Sequence, residues 1–309
     1  MSSTSRVTTV PLPGLAAGSS AWPGIALALA GAIAFSGKAI IVKLAYRHDV
    51  DAVVLLMYRM LLALPLFMLM AWWAGRGRPP LTWRDRGAVA ALGFSGFYLA
   101  SYLDFLGLQY ISASLERLIL YLTPTIVLLI GWVRHGRRAT RAQLLAMSVS
   151  YAGVGLVFGH ELGLDRPQVA LGALLVLLST ISYSVYLAFI GEVVPRIGAL
   201  RLTGQASTVA CALCIGQFLL LRPLSAAAVP EPVLWLSALN AVACTVTPVL
   251  LMMMAIERLG ASLTSQIGMV GPVSTILLGV LLLGEPFTVW TAAGTLGVLA
   301  GVALLARWR

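Results

Sequence analysis

The stretch Ala113–Pro124, ASLERLILYLTP, has a counterpart in Ala261–Pro272, ASLTSQIGMVGP, which lies 148 positions later. Both stretches open with Ala-Ser-Leu, share an isoleucine at the seventh position and end on a proline. The same ungapped offset relates Ala152–Val154 to Ala300–Val302. Because one spacing relates segments along most of the chain, the sequence predicts two homologous halves.

The composition places these halves in lipid. Of the 309 residues, 60% are hydrophobic and only 10% are charged, whereas a soluble domain carries about 25% charged residues. No soluble fold of this length could bury so much apolar surface, so lipid surrounds most of the chain. The net charge of +10 comes from basic residues between apolar segments, which argues against a nucleic-acid partner.

Ten apolar runs follow one another, each of about 17–25 residues and therefore long enough to cross a bilayer as a helix. The runs are joined by short loops, so no soluble domain is inserted between them. They are Pro23–Tyr46, Asp51–Ala74, Arg86–Leu108, Ala113–Val133, Ala142–Phe158, Val169–Ile190, Ala199–Leu221, Val233–Ile256, Ala261–Leu283 and Val289–Trp308. The sequence thus predicts an all-α integral membrane protein with ten transmembrane helices.

The chain divides at the boundary between its two repeats. We predict a flexible cytoplasmic tail at 1–20, a first repeat at 21–158, a periplasmic linker at 159–167 and a second repeat at 168–309. Five helices are an odd number, so the second repeat starts on the opposite side of the membrane. Such inverted-topology repeats are a construction that many secondary transporters use.

Basic residues predict the orientation. With the N-terminus in the cytoplasm, fourteen of the 21 Lys and Arg residues lie on the inside. Only Arg47, Arg166 and Arg222 lie outside, and the remaining four lie within the spans. This bias follows the positive-inside rule, so both termini are expected to be cytoplasmic, in the inner (plasma) membrane.

Five ionisable side chains lie within the first-half spans, where a charge costs at least about 2.5–3.5 kcal/mol. We expect Asp104 and Arg117 to pair across a helical hairpin, and Glu116 to pair with Lys38 or with Arg59. Three cations against two carboxylates leave one positive charge uncompensated. We therefore predict a polar cavity that binds a substrate carboxylate or another anion; the alternative is that these charges only pair with one another.

Polar side chains of neighbouring spans are candidates for the lining of this cavity, although any one of them could serve packing alone. They are Tyr98, Tyr102, Tyr121, Tyr183, Tyr186, Gln205, Asn240 and Gln266. Pro124 and Pro272 interrupt matching helices, which is typical of a central transport site but also of a packing kink. The GxxxG pairs Gly155/Gly159 and Gly297/Gly301 predict close helix contacts.

The chain resembles the EamA family of the drug/metabolite transporter superfamily. The resemblance rests on Gly107–Pro124, on Ala261–Pro286 with its Gly-Glu ending, and on Gly294–Val302, and it covers roughly 25–306. It implies a ten-helix inner-membrane carrier of small metabolites, often an exporter of amino acids or toxic compounds. The first half departs from the Gly-Glu ending with His-Gly-Arg at 135–137.

Other function classes remain as alternatives. A nucleotide-sugar or lipid-linked solute carrier would use the same architecture. An intramembrane enzyme lacks support, because His48, His135 and His160 lie at predicted membrane edges and neither HExxH nor GxSxG occurs. The inverted repeat and the deep charges disfavour a scaffold. We expect no cofactor and no metal. The predicted partners are a small-molecule substrate and the lipid bilayer, and a homodimer stays open as an alternative to a monomer.

Overall fold

The computed structural model describes residues 22–135, 140–162, 168–268 and 270–307. The tail predicted at 1–20 lies outside the described residues, as do 163–167 of the predicted linker. In the described part every regular element is helical. The helices are α1 Trp22–Tyr46, α2 Ala52–Gly75, α3 Trp83–Leu108, α4 Ala113–Leu120, α5 Thr123–His135, α6 Arg141–Leu162, α7 Val169–Ile197, α8 Ala199–Leu221, α9 Glu231–Ala241, α10 Thr247–Gly268, α11 Val270–Leu283 and α12 Val289–Arg307.

These helices confirm the predicted membrane architecture. Eight helical segments of the described chain are long and apolar enough to cross a membrane. They include α4 with α5, taken together as Ala113–Arg134, and α9 with the start of α10, taken as Glu231–Ile256. The shorter apolar helices Val270–Leu283 and Val289–Leu305 complete the set of ten.

Several predicted boundaries differ from the structure. The fourth predicted span is broken between α4 and α5, because Pro124 occupies the first turn of α5, where its missing N–H requires no partner. The loop expected between Ile256 and Ala261 is instead helical as part of α10. No proline interrupts this stretch, and a single glycine is tolerated within a helix at modest cost. Helix α6 also runs to Leu162, beyond the predicted end at Phe158.

The two repeats pack on each other along most of their helices. Helix α1 lies against α10 and α11, α2 against α8, α3 against α7, and α6 against α12. The interior of the molecule is therefore the interface between the repeats. A site built there draws side chains from both halves.

Glycines bring α6 and α12 into close contact. A Cβ atom at Gly294 would lie 2.4 Å from Val157 Cγ2 and 2.6 Å from the carbonyl oxygen of Gly153. Gly297 and Gly301 also face α6, as their GxxxG spacing predicted. The same prediction is wrong for Gly155 and Gly159, which face open space in the structure. The glycine of α6 that contacts α12 is instead Gly153, which lies on another side of that helix.

The internal symmetry reaches individual hydrogen bonds. Ser36 Oγ donates to the carbonyl oxygen of Gly271 at 2.9 Å, and Ser184 Oγ lies 3.5 Å from the carbonyl oxygen of Thr123. Donor and acceptor positions are both related by the offset of 148. Ser36 thus ties α1 of the first repeat to α11 of the second, and Ser184 lies in the equivalent place between α7 of the second repeat and α5 of the first.

Candidate functional site

Lys38 of α1 binds two carboxylates from neighbouring helices. Its Nζ lies 2.5 Å from Asp104 Oδ2 of α3 and 3.1 Å from Glu116 Oε1 of α4. The first contact is also a hydrogen bond, whereas the second is an ion pair without hydrogen-bond alignment. Of the two partners expected for Glu116, Lys38 or Arg59, the structure therefore has Lys38.

The predicted Asp104–Arg117 pair is wrong, because Arg117 points to the second repeat. Its Nε donates to Thr275 Oγ1 at 2.7 Å and its Nη2 to the carbonyl oxygen of Phe35 at 3.0 Å. Adjacent residues on a helix point about 100° apart. Since Glu116 faces Lys38, its neighbour Arg117 is turned toward α11, and Lys38 takes the position beside Asp104.

Arg59 of α2 reaches across to the second repeat. Its Nε donates to Thr245 Oγ1 at 2.9 Å, and its guanidinium lies 5.2 Å from the centroid of the Phe105 ring. Its Nη1 is buried and has no hydrogen-bond partner in the described part of the chain. Nearby, Asn240 contacts the carbonyl oxygen of Lys38 through Nδ2 at 3.5 Å, and its buried Oδ1 likewise lacks a described partner.

These five charged side chains are withdrawn from the surface. Glu116 is fully buried, Asp104, Arg59 and Arg117 are at most 9% exposed, and the Lys38 side chain is 14% exposed. The three cations and two carboxylates sum to one excess positive charge. An uncompensated charge is costly in a membrane interior.

A break in the fourth span lies beside this cluster. Helix α4 ends at Leu120 and α5 begins at Thr123. The hydroxyl of Tyr121, in this break, donates to the carbonyl oxygen of Gly268 at 2.6 Å and so links the break to the second repeat. Pro124 stands in the first turn of α5, and Pro272 lies within α11. The side chain of Gln266 lies outside the described residues.

The remaining candidates lie in three separate places. Tyr98 and Tyr102 stack on α3 with centroids 6.5 Å apart, against the apolar cluster that contains Phe105. Tyr183 and Tyr186 stack at 5.5 Å, and Tyr186 belongs to a different apolar cluster, with Val89 and Ile197. Gln205 lies in a surface groove beside Arg201. The structure therefore brings the two tyrosine pairs and Gln205 to different places.

A second polar region was not predicted from the sequence. Glu285 accepts hydrogen bonds from Ala113 N at 2.7 Å and Ser114 Oγ at 2.7 Å, and Glu161 accepts from the hydroxyl of Ser112. Both carboxylates cap the N-terminus of α4, where the helix dipole favours negative charge. They line an open cavity of about 420 Å³ at the end of the molecule opposite the arginine-rich loops. The sequence signal that could have pointed to this region is Ser112, the N-cap of α4. Glu161 and Glu285 could not be assigned to this N-terminus from the sequence, because they come from distant segments of the chain.

No metal centre is built by the described residues, among which no group of three or more His, Cys, Asp or Glu side chains could hold an ion.

Comparison with known proteins gives consistent results. The model of the EamA-like transporter family matches residues 22–159 and 170–307, one copy for each repeat. The chain is 33% identical over 290 residues to the uncharacterized transporter YcbK of Bacillus subtilis (strain 168), covering 89% of this chain and 90% of the relative. It is 25% identical over 240 residues to an uncharacterized transporter of Archaeoglobus fulgidus, covering 74% and 80%.

A solved crystal structure shares the fold. It aligns with a TM-score of 0.60 at 17% sequence identity, over 93% of this chain and 98% of the other. At this identity the likeness concerns the fold alone. The two family matches, the relatives and the ten apolar helices together place the chain: it belongs to the EamA-like transporter family and is a multi-pass membrane transporter.

Proposed function

We propose that this chain is a secondary transporter that exports small anionic or zwitterionic organic metabolites, such as amino acids and related or toxic compounds, across the inner membrane. Lys38, Arg59, Asp104, Glu116 and Arg117 form the core of the transport site. Export requires no nucleotide hydrolysis by the chain, because its one Gly-Lys pair, at 37–38, lacks the spacing of a phosphate-binding loop.

The observation that carries this proposal is the buried Nη1 of Arg59. Lys38 already forms ion pairs with two carboxylates, and Arg117 already donates hydrogen bonds to Thr275 and to the carbonyl oxygen of Phe35. Arg59 keeps a buried donor without a described partner, and no carboxylate lies within ion-pair distance of it among the described residues. A substrate carboxylate at Nη1 would supply both the acceptor and the missing negative charge.

The location of Arg59 suits alternating access. Its guanidinium belongs to the first repeat, while Thr245, which it contacts, belongs to the second. Rocking of one repeat against the other would therefore change the surroundings of the bound anion. In inverted-repeat transporters the substrate site lies at such an interface, next to interrupted helices.

Flux measurements in reconstituted vesicles test this function. We expect Arg59→Gln to lower transport of a carboxylate-bearing solute at least tenfold, because a charge-assisted hydrogen bond is lost, and Arg59→Lys to retain part of it. Arg222→Gln is a matched control, because Arg222 pairs with Asp51 at a helix end. Competition by amino acids, nucleotide sugars and lipid-linked solutes identifies the substrate class. Wild-type flux in correctly folded Arg59→Gln would contradict the assignment of the site.

A further inference from the structure

A groove of about 500 Å³ runs along the surface between α2, α3 and α8. Apolar side chains, among them Met68, Val89 and Val209, form most of its walls, and Arg86 and Arg201 add two positive charges. The groove lies apart from the charge cluster around Lys38. Its volume is within the roughly 300–1,000 Å³ of small-ligand sites.

Arg201 is unusual for a residue that lines a groove. It is only 9% exposed, and its Nη1 and Nη2 both donate to the carbonyl oxygen of Pro79 at 3.0 Å. Its Nε has no hydrogen-bond partner in the described chain. Among the described residues no ion pair is formed by Arg201, and Asp85, which is on the same helix as Arg86, pairs with Arg196 at 3.4 Å. A buried cation without a counter-ion is costly, and a bound anion would remove that cost.

Tryptophans show how deep this groove lies relative to the membrane. Trp72, Trp73 and Trp83 are 58%, 62% and 83% exposed on α2 and α3. The guanidinium of Arg86 lies 5.1 Å from the centroid of the Trp83 ring. Exposed tryptophans beside arginines mark the boundary between acyl chains and headgroups. This is the arginine-rich end that the charge bias predicts to be cytoplasmic, where anionic lipids are concentrated.

We propose that this groove binds an anionic phospholipid of the cytoplasmic leaflet. The phosphate lies between Arg86 and Arg201, and the upper part of one acyl chain covers the apolar wall of Met68, Val89 and Val209. Gln205 Oε1, an acceptor without a described partner, receives a hydrogen bond from a headgroup hydroxyl. Basic pockets between membrane helices on the cytoplasmic side are known to bind such headgroups.

Native mass spectrometry of the purified full chain tests this site, with phosphatidylglycerol and phosphatidylethanolamine added in turn. We expect wild type to retain phosphatidylglycerol in preference. Arg86→Gln/Arg201→Gln should weaken retention on the order of thirtyfold, since each of the two basic residues near a headgroup contributes about 1 kcal/mol. Arg84→Gln is the control, because Arg84 is exposed on the same helix outside the groove and should leave retention unchanged.

Two further variants keep the proposal testable if loss of the Arg201–Pro79 contact impairs folding. Arg86→Gln alone and Thr208→Phe, which fills the groove from α8, both leave that contact in place and should each reduce retention. In thermal unfolding, phosphatidylglycerol should raise the Tm of wild type while inorganic phosphate does not. Equal retention by wild type and both single variants, or equal retention of the two lipids, would overturn the proposal.

Discussion

Lys38 shows how one residue determines the electrostatics of the site. Two carboxylates from different helices approach its Nζ, at 2.5 Å and 3.1 Å. Without Lys38, the buried carboxylates of Asp104 and Glu116 would have no ion-pair partner among the described residues. Breaking a buried pair by removing one partner costs about 3–5 kcal/mol, because the other charge stays buried.

We therefore predict that Lys38→Met lowers the free energy of unfolding by about 3–5 kcal/mol. Adding Asp104→Asn should restore part of this loss, since the double variant removes one of the two unpaired carboxylates. Thermal unfolding in detergent, monitored by intrinsic fluorescence, measures both effects. Independent, additive effects of the two substitutions would contradict the geometry at Lys38.

Arg59 and Arg117 demonstrate that equal charge does not mean equal role. Arg117 is tied at both ends of its guanidinium, to Thr275 and to the backbone of Phe35. Among the described residues, Arg59 donates one hydrogen bond, to Thr245, and its Nη1 has no partner. Arg117 thus holds α4 to the second repeat, whereas Arg59 is the residue that we propose to bind the substrate carboxylate.

At the scale of helices, π-helical turns recur at equivalent positions of the two repeats. π-Helical turns interrupt α3 at Phe94–Leu99 and the chain between α9 and α10 at Val242–Val246, and both begin at positions related by the offset of 148. Such bulges inside helices frequently accompany functional sites. Thr245, the partner of Arg59, lies in the second of these turns, so the local bulge sets the position of a residue that orients the guanidinium.

The contact between α6 and α12 depends on the absence of side chains. We predict that Gly294→Ala destabilises the protein by about 1–3 kcal/mol, because its Cβ would overlap Val157 and the backbone of Gly153 in a packed interface. Thermal unfolding measures the change. Gly155→Ala is the control, since nothing lies within 4 Å of its added Cβ. Similar Tm values for the two variants would contradict this packing.

At the scale of the molecule, an odd number of helices per repeat places the repeats in opposite orientations. We expect reporters fused to the two termini to lie together in the cytoplasm. On a background without native cysteines, Thr82→Cys should react with an impermeant thiol reagent only from the inside, and Ser225→Cys only from the outside. Termini on opposite faces of the membrane would contradict the ten-helix inverted repeat.

The sequence by itself determined the class of architecture. Hydropathy and length specify membrane helices because lipid demands long apolar segments with internally satisfied backbone. The offset of 148 revealed the inverted repeat, and the cost of burying charge singled out Lys38, Arg59, Asp104, Glu116 and Arg117 as residues with a special role. These inferences need only composition, periodicity and position along a helix.

Only the tertiary structure decided which side chains meet. Contacts between helices depend on the rotation of each helix about its axis and on which helices are neighbours, and neither is encoded in local spacing. Thus Lys38 rather than Arg117 pairs with Asp104, Gln205 lies in a surface groove, and Glu285 caps a helix of the other repeat. Each outcome depends on side chains that are distant in the chain and become neighbours only when the helices pack.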